Sequence, residues 1–406
     1  MEPLFLIFAA LSLFGLFAYA LQIWSVRSCR TISTPSCLGK PISAPPFFPP
    51  ISILKPLKGL DDNLFDNLES FCHQDYPEYE VIFSLQNEND PACKVARMIK
   101  NKYRDRDITV HVERCSAGLN PKVNNLIPAY RIAKHPYILI SDSNVMARKN
   151  YLADIISDMR DPGVGLVSNP IRGIGGESVG AVLENLHLNS FVMGSVSFLD
   201  RFLKMPCVVG KSMLMRKSDL EAIGGFAGVK DVLAEDYLIG KRMHESGKRV
   251  VLSSHMIDNI NEYWGIRKLL NRHTRWGKLR WQIGGIKYIS ELISNPVFMS
   301  FLALAFLGPS LRTVALSAGV SFCKSAGDFF IGRKIGTNMA ISSYVLGPLK
   351  DVLIGFIWFV PLLSNTVVWR GNRYIIGKDS MLSPCPETGL WSFRYKVVET
   401  IKARFA

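Results

Sequence analysis

Tyr137-Ile138-Leu139-Ile140-Ser141-Asp142-Ser143-Asn144 joins an apolar run to a small polar turn that carries one acid. A short apolar run bounded by turn-forming residues reads as a strand, and Asp142 stands where that strand ends. Working outward, Ile51-Ser52-Ile53-Leu54, Val81-Ile82-Phe83-Ser84-Leu85 and Ile108 to Val112 read as three more strands. Between and after them lie stretches with helical spacing: Asn63 to Phe71 (through Leu64, Leu68 and Phe71), Lys94 to Tyr103, and Lys122 to Ala133. Strand and helix in alternation predict an α/β domain with a mainly parallel sheet. In such sheets ligands gather beyond the carboxyl ends of the strands, so polar residues just after strand ends carry the most weight. No internal repeat is evident.

The chain on either side of this domain has a different texture. From Pro3 to Trp24 there are 22 residues without a charge, which as a helix reach roughly 33 Å, enough to cross a hydrocarbon core. A cleaved signal peptide is the competing reading, but no basic region precedes the run, and Arg27, Arg30 and Lys40 follow it. The positive-inside rule then places residue 27 onward in the cytosol. Pro296 to Leu311, Thr313 to Cys323 and Val352 to Trp369 are again uncharged. Arg312, Lys324 and Asp328 interrupt them, at a cost inside a bilayer. Two spans, three spans, or one span with a re-entrant hairpin fit this pattern; Arg370 and Arg373 point to a cytosolic tail and an even number of crossings.

Composition agrees with a protein partly dissolved in lipid: 48% of the 406 residues are hydrophobic and 20% are charged. The net charge of +14 suits an anionic membrane face or an anionic small molecule. A nucleic-acid partner is not expected, because no zinc-finger spacing or ribonucleoprotein motif is present. None of the eight cysteines forms a C-x-x-C pair, so neither a zinc site nor a disulfide scaffold is expected.

Four elements carry potential chemistry. Asp90 follows the second strand in Gln86-Asn87-Glu88-Asn89-Asp90-Pro91, and Asp142 follows the fourth. Alone, each reads as a turn or helix-cap aspartate; together, at strand ends, they suit a nucleotide and a hard divalent cation. Asp236, in Leu233-Ala234-Glu235-Asp236-Tyr237 after the Gly224-Gly225-Phe226 turn, reads either as a helix-opening acid or as a general base. In Arg272-His273-Thr274-Arg275-Trp276, Arg272, Arg275 and Trp276 share one helical face. Paired guanidinium groups suit a diphosphate, while the nearby Lys278, Arg280 and Trp281 also suit a helix lying on lipid headgroups.

These elements in this order resemble the ceramide glucosyltransferases, within the inverting GT-A nucleotide-sugar transferases marked by D, D, D and (Q/R)-x-x-R-W. The stretches Leu54-Lys55-Pro56-Leu57-Lys58-Gly59, Asp75-Tyr76-Pro77, Asn120 to Leu126, Gly210 to Lys217 and Trp369-Arg370-Gly371 are also similar to that family. The resemblance implies a GT-A type mixed, mainly parallel sheet domain between transmembrane helices. The divisions expected are an anchor over 1–26, a Pro-rich linker over 27–50, a cytosolic catalytic domain over 51–285, a membrane region over 286–375 and a cytosolic tail over 376–406. It implies that Asp236 is the catalytic base, that Asp90 contacts the nucleotide, and that Asp142 supports a weakly held Mg2+ or Mn2+ ion. Lys122 would help bind the donor, and Arg272, Arg275 and Trp276 would hold the diphosphate and acceptor region. Cys207 falls where the family has a cysteine near the active site, and burial as a small apolar residue is the role expected for it. Many GT-A enzymes have a second carboxylate where this chain has Asn144. The implied partners are UDP-glucose and ceramide or a related lipid, in the Golgi membrane of a eukaryote or the inner membrane of a bacterium. Transfer to a hopanoid or diacylglycerol, a processive polysaccharide synthase and a non-catalytic membrane scaffold are the alternatives.

Overall fold

The computed structural model describes residues 2–28, 47–369 and 372–385. Arg30, Lys40, residues 41–46 of the expected linker, Arg370 and residues 386–406 of the expected tail lie outside the described residues. Helix α1 (Glu2–Ser28) carries the uncharged amino-terminal run. The chain then alternates β1 (Ile51–Pro56), α2 (Leu64–Glu69), β2 (Tyr79–Leu85), α3 (Pro91–Lys102), β3 (Ile108–Val112), α4 (Pro121–Ile132) and β4 (Tyr137–Ser141). The four expected strands and three expected helices are all present.

Side chains alternate across a strand, and here both faces are covered. Ile53, Val81, Phe83 and Leu139 enter one core, whereas Leu54, Ile82, Ile138 and Ile140 enter the other. Burial on both sides is why these strands read as continuous apolar runs. Truncating one of these side chains, as in Leu139→Ala, removes roughly 2–5 kcal/mol. Asp90 and Asn120 accept backbone N–H bonds at the starts of α3 and α4, and Pro91 and Pro121 occupy the first helical positions.

The chain continues through β5 (Val145–Met146), α5 (Tyr151–Ser157), β6 (Val164–Ser168), β7 (Ile171–Gly175), α6 (Val179–His187) and α7 (Met193–Phe198). Next come β8 (Ser212–Arg216), α8 (Lys217–Ala222), α9 (Glu235–Glu245), β9 (Arg249–Leu252) and β10 (Ile257–Asn261). The seven-stranded main sheet has the order β3-β2-β1-β4-β8-β6-β9, and β5-β10-β7 form a smaller sheet. Only β8 runs against its neighbours in the main sheet. It is therefore mixed and mainly parallel, and β8 brings the residues before Ser212 opposite the carboxyl end of β4.

Helix α10 (Ile266–Gly284) leads through α11 (Ile289–Ile293) to α12 (Pro296–Leu307) and α13 (Leu311–Lys334), then to α14 (Gly347–Ile357) and α15 (Val360–Leu363). Among the described residues, three stretches are long and apolar enough to cross a membrane: 2–26, 311–334 and 341–363. The 266–293 stretch and α12, bent by 66°, make a fourth if counted as one broken span. Contacts give their sense. Helix α12 runs against α1, with Pro296 beside Gly15 and the Phe306 ring 6.2 Å from that of Phe8. Helix α13 runs with α1, as Arg312 pairs with Glu2 at 2.8 Å and the Tyr19 hydroxyl donates to Asp328. Before the 341–363 stretch Arg172 donates to the Gly336 carbonyl at 2.8 Å, and within it Trp358 donates to the Tyr288 carbonyl at 3.1 Å.

The carboxy-terminal boundaries differ from those expected. Strands β11 (Thr366–Trp369), β12 (Asn372–Ile376) and β13 (Leu382–Pro384) form an antiparallel sheet. Val367, Tyr374, Ile376 and Leu382 pack with Leu233, and the Leu233 N–H donates to the Ser380 carbonyl at 2.9 Å. Residues 366–384 therefore belong to the catalytic domain, not to a membrane span or a tail. Val367 and Val368 belong to the uncharged run from Val352, so hydropathy alone does not separate this strand from a span.

Candidate active site

Beyond the carboxyl end of β4 lies a cleft of about 1000 Å3. Asp142 reaches it directly from the strand end. Lys122 reaches it from the first turn of α4, with its ammonium 2.9 Å from Asp142 Oδ1, 2.9 Å from Glu235 Oε1 and 3.0 Å from the Gly210 carbonyl. Lys211 precedes β8, opposite Asp142, and pairs with Asp142 Oδ2 at 3.0 Å and Asn144 Oδ1 at 2.6 Å. Behind them the buried Lys55 donates to the Asp142 carbonyl at 3.0 Å and lies 3.4 Å from the Phe71 ring centre. Burial opposes ionisation of Asp142, but Lys122 and Lys211 outweigh it and hold the carboxyl below the usual range. Burial lowers Lys211, with Asp142 acting in the other direction. In Lys122 burial is overcome by Asp142, Glu235 and Asp236, so its pKa is raised.

Glu235 and Asp236 open α9 and face the same cleft. Asn120 donates to Glu235 Oε2 at 3.1 Å, and the Tyr237 N–H donates to Asp236 Oδ1 at 2.8 Å. Burial first, and then the Glu235 carboxylate, push Asp236 up to about 6. A carboxylate so tuned is mostly ionised at neutral pH yet basic enough to accept a proton. Gly210 lies against it: a Cβ at this position would collide with Asp236 Oδ2. The glycine is required by that close approach.

Helix α10 forms the opposite wall, and Arg272, Arg275 and Trp276 all line the cleft. The Arg272 guanidinium lies 4.3 Å from the Trp276 ring centre and 5.1 Å from that of Trp264. Glu184 on α6 pairs with Arg272 at 3.2 Å and with His273 at 2.8 Å. Glu184 therefore holds the arginine from behind while its face remains toward the cleft. Burial raises the Glu184 carboxyl, but Arg272 and His273 win and keep it low. The lining also includes apolar side chains, among them Val192, Val196, Leu279 and Trp369. The helical segment carrying Val192 and Val196 packs on α1, where Gly194 abuts Gln22 and the Phe202 ring lies 5.1 Å from that of Trp24.

Asp142, Lys122, Asp236, Arg272, Arg275 and Trp276 thus come together from four separate parts of the chain. Asp90 does not line the cleft. With Pro91 fixing the start of α3, its carboxylate turns to backbone amides, accepting from Ala92 at 2.9 Å and from Gly59 at 2.9 and 3.1 Å. It steadies the Pro56 to Asp61 turn, whose residues Pro56, Leu57, Lys58 and Asp61 line the cleft. In this placement its carboxylate positions that turn. Cys207 is not a lining residue; burial pushes its thiol up to about 12, which leaves it a small apolar group.

Sequence reasoning passed over Lys211, Glu235 as a partner of Lys122, and Glu184. Glu235 adjoins Asp236 and could have been found by its neighbour. Nothing local marks Lys211 or Glu184, since strand register and helix packing place them.

The donor set is a poor fit for the expected Mg2+ or Mn2+. Asp142 is the only carboxylate in the 141–144 turn, and both its oxygens hold lysine ammonium groups. The Asn144 oxygen holds Lys211 as well. Among the described residues no three His, Cys, Asp or Glu side chains gather as metal ligands. A divalent cation takes six or more oxygens, and here it would have to displace an ammonium group from its one acid.

Residues 7–382 match the model of Glycosyl transferase family 21. The chain is 27% identical over 349 residues to ceramide glucosyltransferase 3 of Caenorhabditis elegans, covering 83% of this chain and 74% of that protein. It is 28% identical over 356 residues to ceramide glucosyltransferase 1 of the same organism, covering 81% and 72%. In fold it is similar to the mannosyltransferase PcManGT from Pyrobaculum calidifontis, solved in complex with GDP-Man and Mn2+. That likeness has a TM-score of 0.50 at 16% identity and covers 89% of this chain and 98% of that one. The domain is a GT-A glycosyltransferase fold flanked by candidate membrane helices.

Proposed function

The chain belongs to glycosyl transferase family 21, the family of the ceramide glucosyltransferases, and from that premise we propose that it transfers glucose from UDP-glucose to the primary hydroxyl of ceramide. It is an integral membrane glycosyltransferase that acts on lipid. The finer reading is carried by one observation: Asp236, the ammonium pair Lys122 and Lys211, and the α10 arginines face one cleft that apolar side chains also line.

The nucleotide diphosphate lies against Lys122, Lys211, Arg272 and Arg275, with the sugar toward Asp236. Asp236 takes the proton of the acceptor hydroxyl, the hydroxyl oxygen bonds to the anomeric carbon, and the bond from that carbon to the diphosphate breaks. Attack opposite the leaving group inverts the centre and gives a β-glucoside and UDP. The positive wall stabilises charge as it develops on the diphosphate, where fixed groups act without reorganising. The apolar side chains lining the cleft, Val192 and Val196 among them, suit acyl and sphingoid chains that stay in the bilayer while the hydroxyl reaches Asp236. The catalytic domain faces the cytosol, in a Golgi membrane or a bacterial inner membrane.

The test is mass spectrometry of lipids after the purified protein is incubated with UDP-glucose and a mixture of ceramide, diacylglycerol and hopanoid. A hexosylceramide that disappears with Asp236→Asn is the expected result. A product on another lipid removes ceramide as the acceptor, and polymer without lipid product removes the lipid reading altogether.

A further inference from the structure

We propose that Lys211, together with Lys122, neutralises the departing diphosphate in place of a divalent cation, so that the donor binds and reacts without metal. The proposal rests on the nucleotide-diphosphate donor argued above and deepens it.

Asp142 is the one acid at the end of β4, and it is enclosed by ammonium groups. Lys122 holds Oδ1 at 2.9 Å, Lys211 holds Oδ2 at 3.0 Å, and Lys55 holds the backbone carbonyl at 3.0 Å. Lys211 also takes the oxygen of Asn144, and the Ser143 hydroxyl in that turn donates to Asp61. The arrangement is built by the fold rather than by chance approach of long side chains. In the register of β4 with β8, Ser141 pairs with Ser212, and the Asp142 N–H meets the Lys211 carbonyl at 3.3 Å. Lys122 is fixed by the first turn of α4 and by Glu235. Both lysines line the cleft beside Arg272.

Lysines set this way do for phosphate oxygens what a cation does elsewhere. Each presents three donors and one positive charge, and each is already oriented by a carboxylate that keeps it charged and aimed. Asp142 then acts as an anchor for two ammonium groups instead of a metal ligand. The two roles are mutually exclusive, since a cation near Asp142 would face ammonium groups within about the distance at which like charges repel strongly.

The experiment uses the full chain purified in detergent and treated with EDTA, with UDP binding followed by calorimetry and donor turnover followed by UDP release. UDP is expected to bind with and without added Mg2+ or Mn2+ with affinities within about threefold. Lys211→Met is expected to weaken UDP binding in EDTA by roughly ten- to hundredfold, the loss of charge-assisted hydrogen bonds. Added Mn2+ is expected to restore part of it, because one Asp142 oxygen has been freed. A purely structural role for Lys211 would not confer metal dependence. If EDTA abolishes UDP binding by the unaltered chain and Mn2+ restores it, the proposal is wrong, and this arm needs no variant to fold. Equal UDP affinity of the parent and Lys211→Met in EDTA overturns it too. UDP binding that persists in EDTA while sugar goes to another lipid leaves this proposal standing and overturns only the acceptor. Absence of UDP binding under every condition overturns both.

Discussion

Two clusters of buried charge stand close together in the sequence-to-structure story of this protein, one in the cleft and one among the membrane helices. In the second, Lys324 pairs with Asp328 at 2.5 Å and with Asp351 at 3.5 Å, while Lys350 pairs with Asp351 at 2.9 Å and with Asp328 at 3.6 Å. The Tyr19 hydroxyl donates to Asp328, and Lys350 donates to Ser190 at 3.2 Å. Two cations and two anions from α13 and α14 close on each other, sealed by α1 and the segment after α6. The cleft uses the same residue types, but Lys122, Lys211, Asp142 and Asp236 all face about 1000 Å3 of open space. Closed charge fixes how helices meet; charge left facing a cleft is available to a ligand.

The contrast can be broken first at Asp236. Asp236→Asn removes the base and should lower kcat by about 10² to 10⁴-fold. UDP affinity measured by calorimetry should stay within a few-fold; loss of both would make Asp236 structural, like the membrane cluster. The reverse test is Asp328→Asn, which leaves two buried ammonium groups sharing one acid, Asp351, and should cost about 3–5 kcal/mol of stability. Thermal unfolding in detergent should show it, whereas the KM for UDP-glucose in protein that remains folded should hardly change. A destabilised cleft with an intact membrane region would reverse the assignment.

Acidity sharpens the comparison further. Because Asp236 is raised to about 6 and acts ionised, kcat/KM should fall about tenfold per unit as pH drops below that value. A profile flat down to pH 5 would remove Asp236 as the base. The smallest expected effect is that of Arg272→Lys, which keeps the charge but loses the planar contact with Trp264 and Trp276. It should raise the KM for the donor by a few-fold to about thirtyfold, the span of one cation–π contact, and leave the unfolding temperature nearly unchanged.

Much of this was legible before any coordinates. The apolar runs at 51–54, 81–85, 108–112 and 137–141 mark strands because a strand buried on both faces leaves little room for polar residues. Asp90-Pro91 and Asn120-Pro121 mark helix starts because a side-chain oxygen accepts there and proline lacks a donor the helix does not need. The uncharged length from Pro3 to Trp24 marks a candidate span because bilayer thickness sets that length. The order of Asp90, Asp142, Asp236 and Arg272 through Trp276 carries the family resemblance.

Tertiary structure alone decided the rest. Lys211 meets Asp142 because β8 runs antiparallel to β4, and no local pattern records that register. Asp90 turned away from the cleft because the Gly59 amide offered its carboxylate a nearer partner. Lys324 and Asp328, costly alone in an apolar helix, became affordable when Lys350 and Asp351 packed beside them. Residues 366–384 left the membrane pattern because they pair into a sheet of their own that packs on Leu233. Periodicity along the chain reports which face of an element is buried, since burial is a property each residue carries. Which charges meet is a property of pairs far apart in sequence, and only the packed fold brings those pairs together.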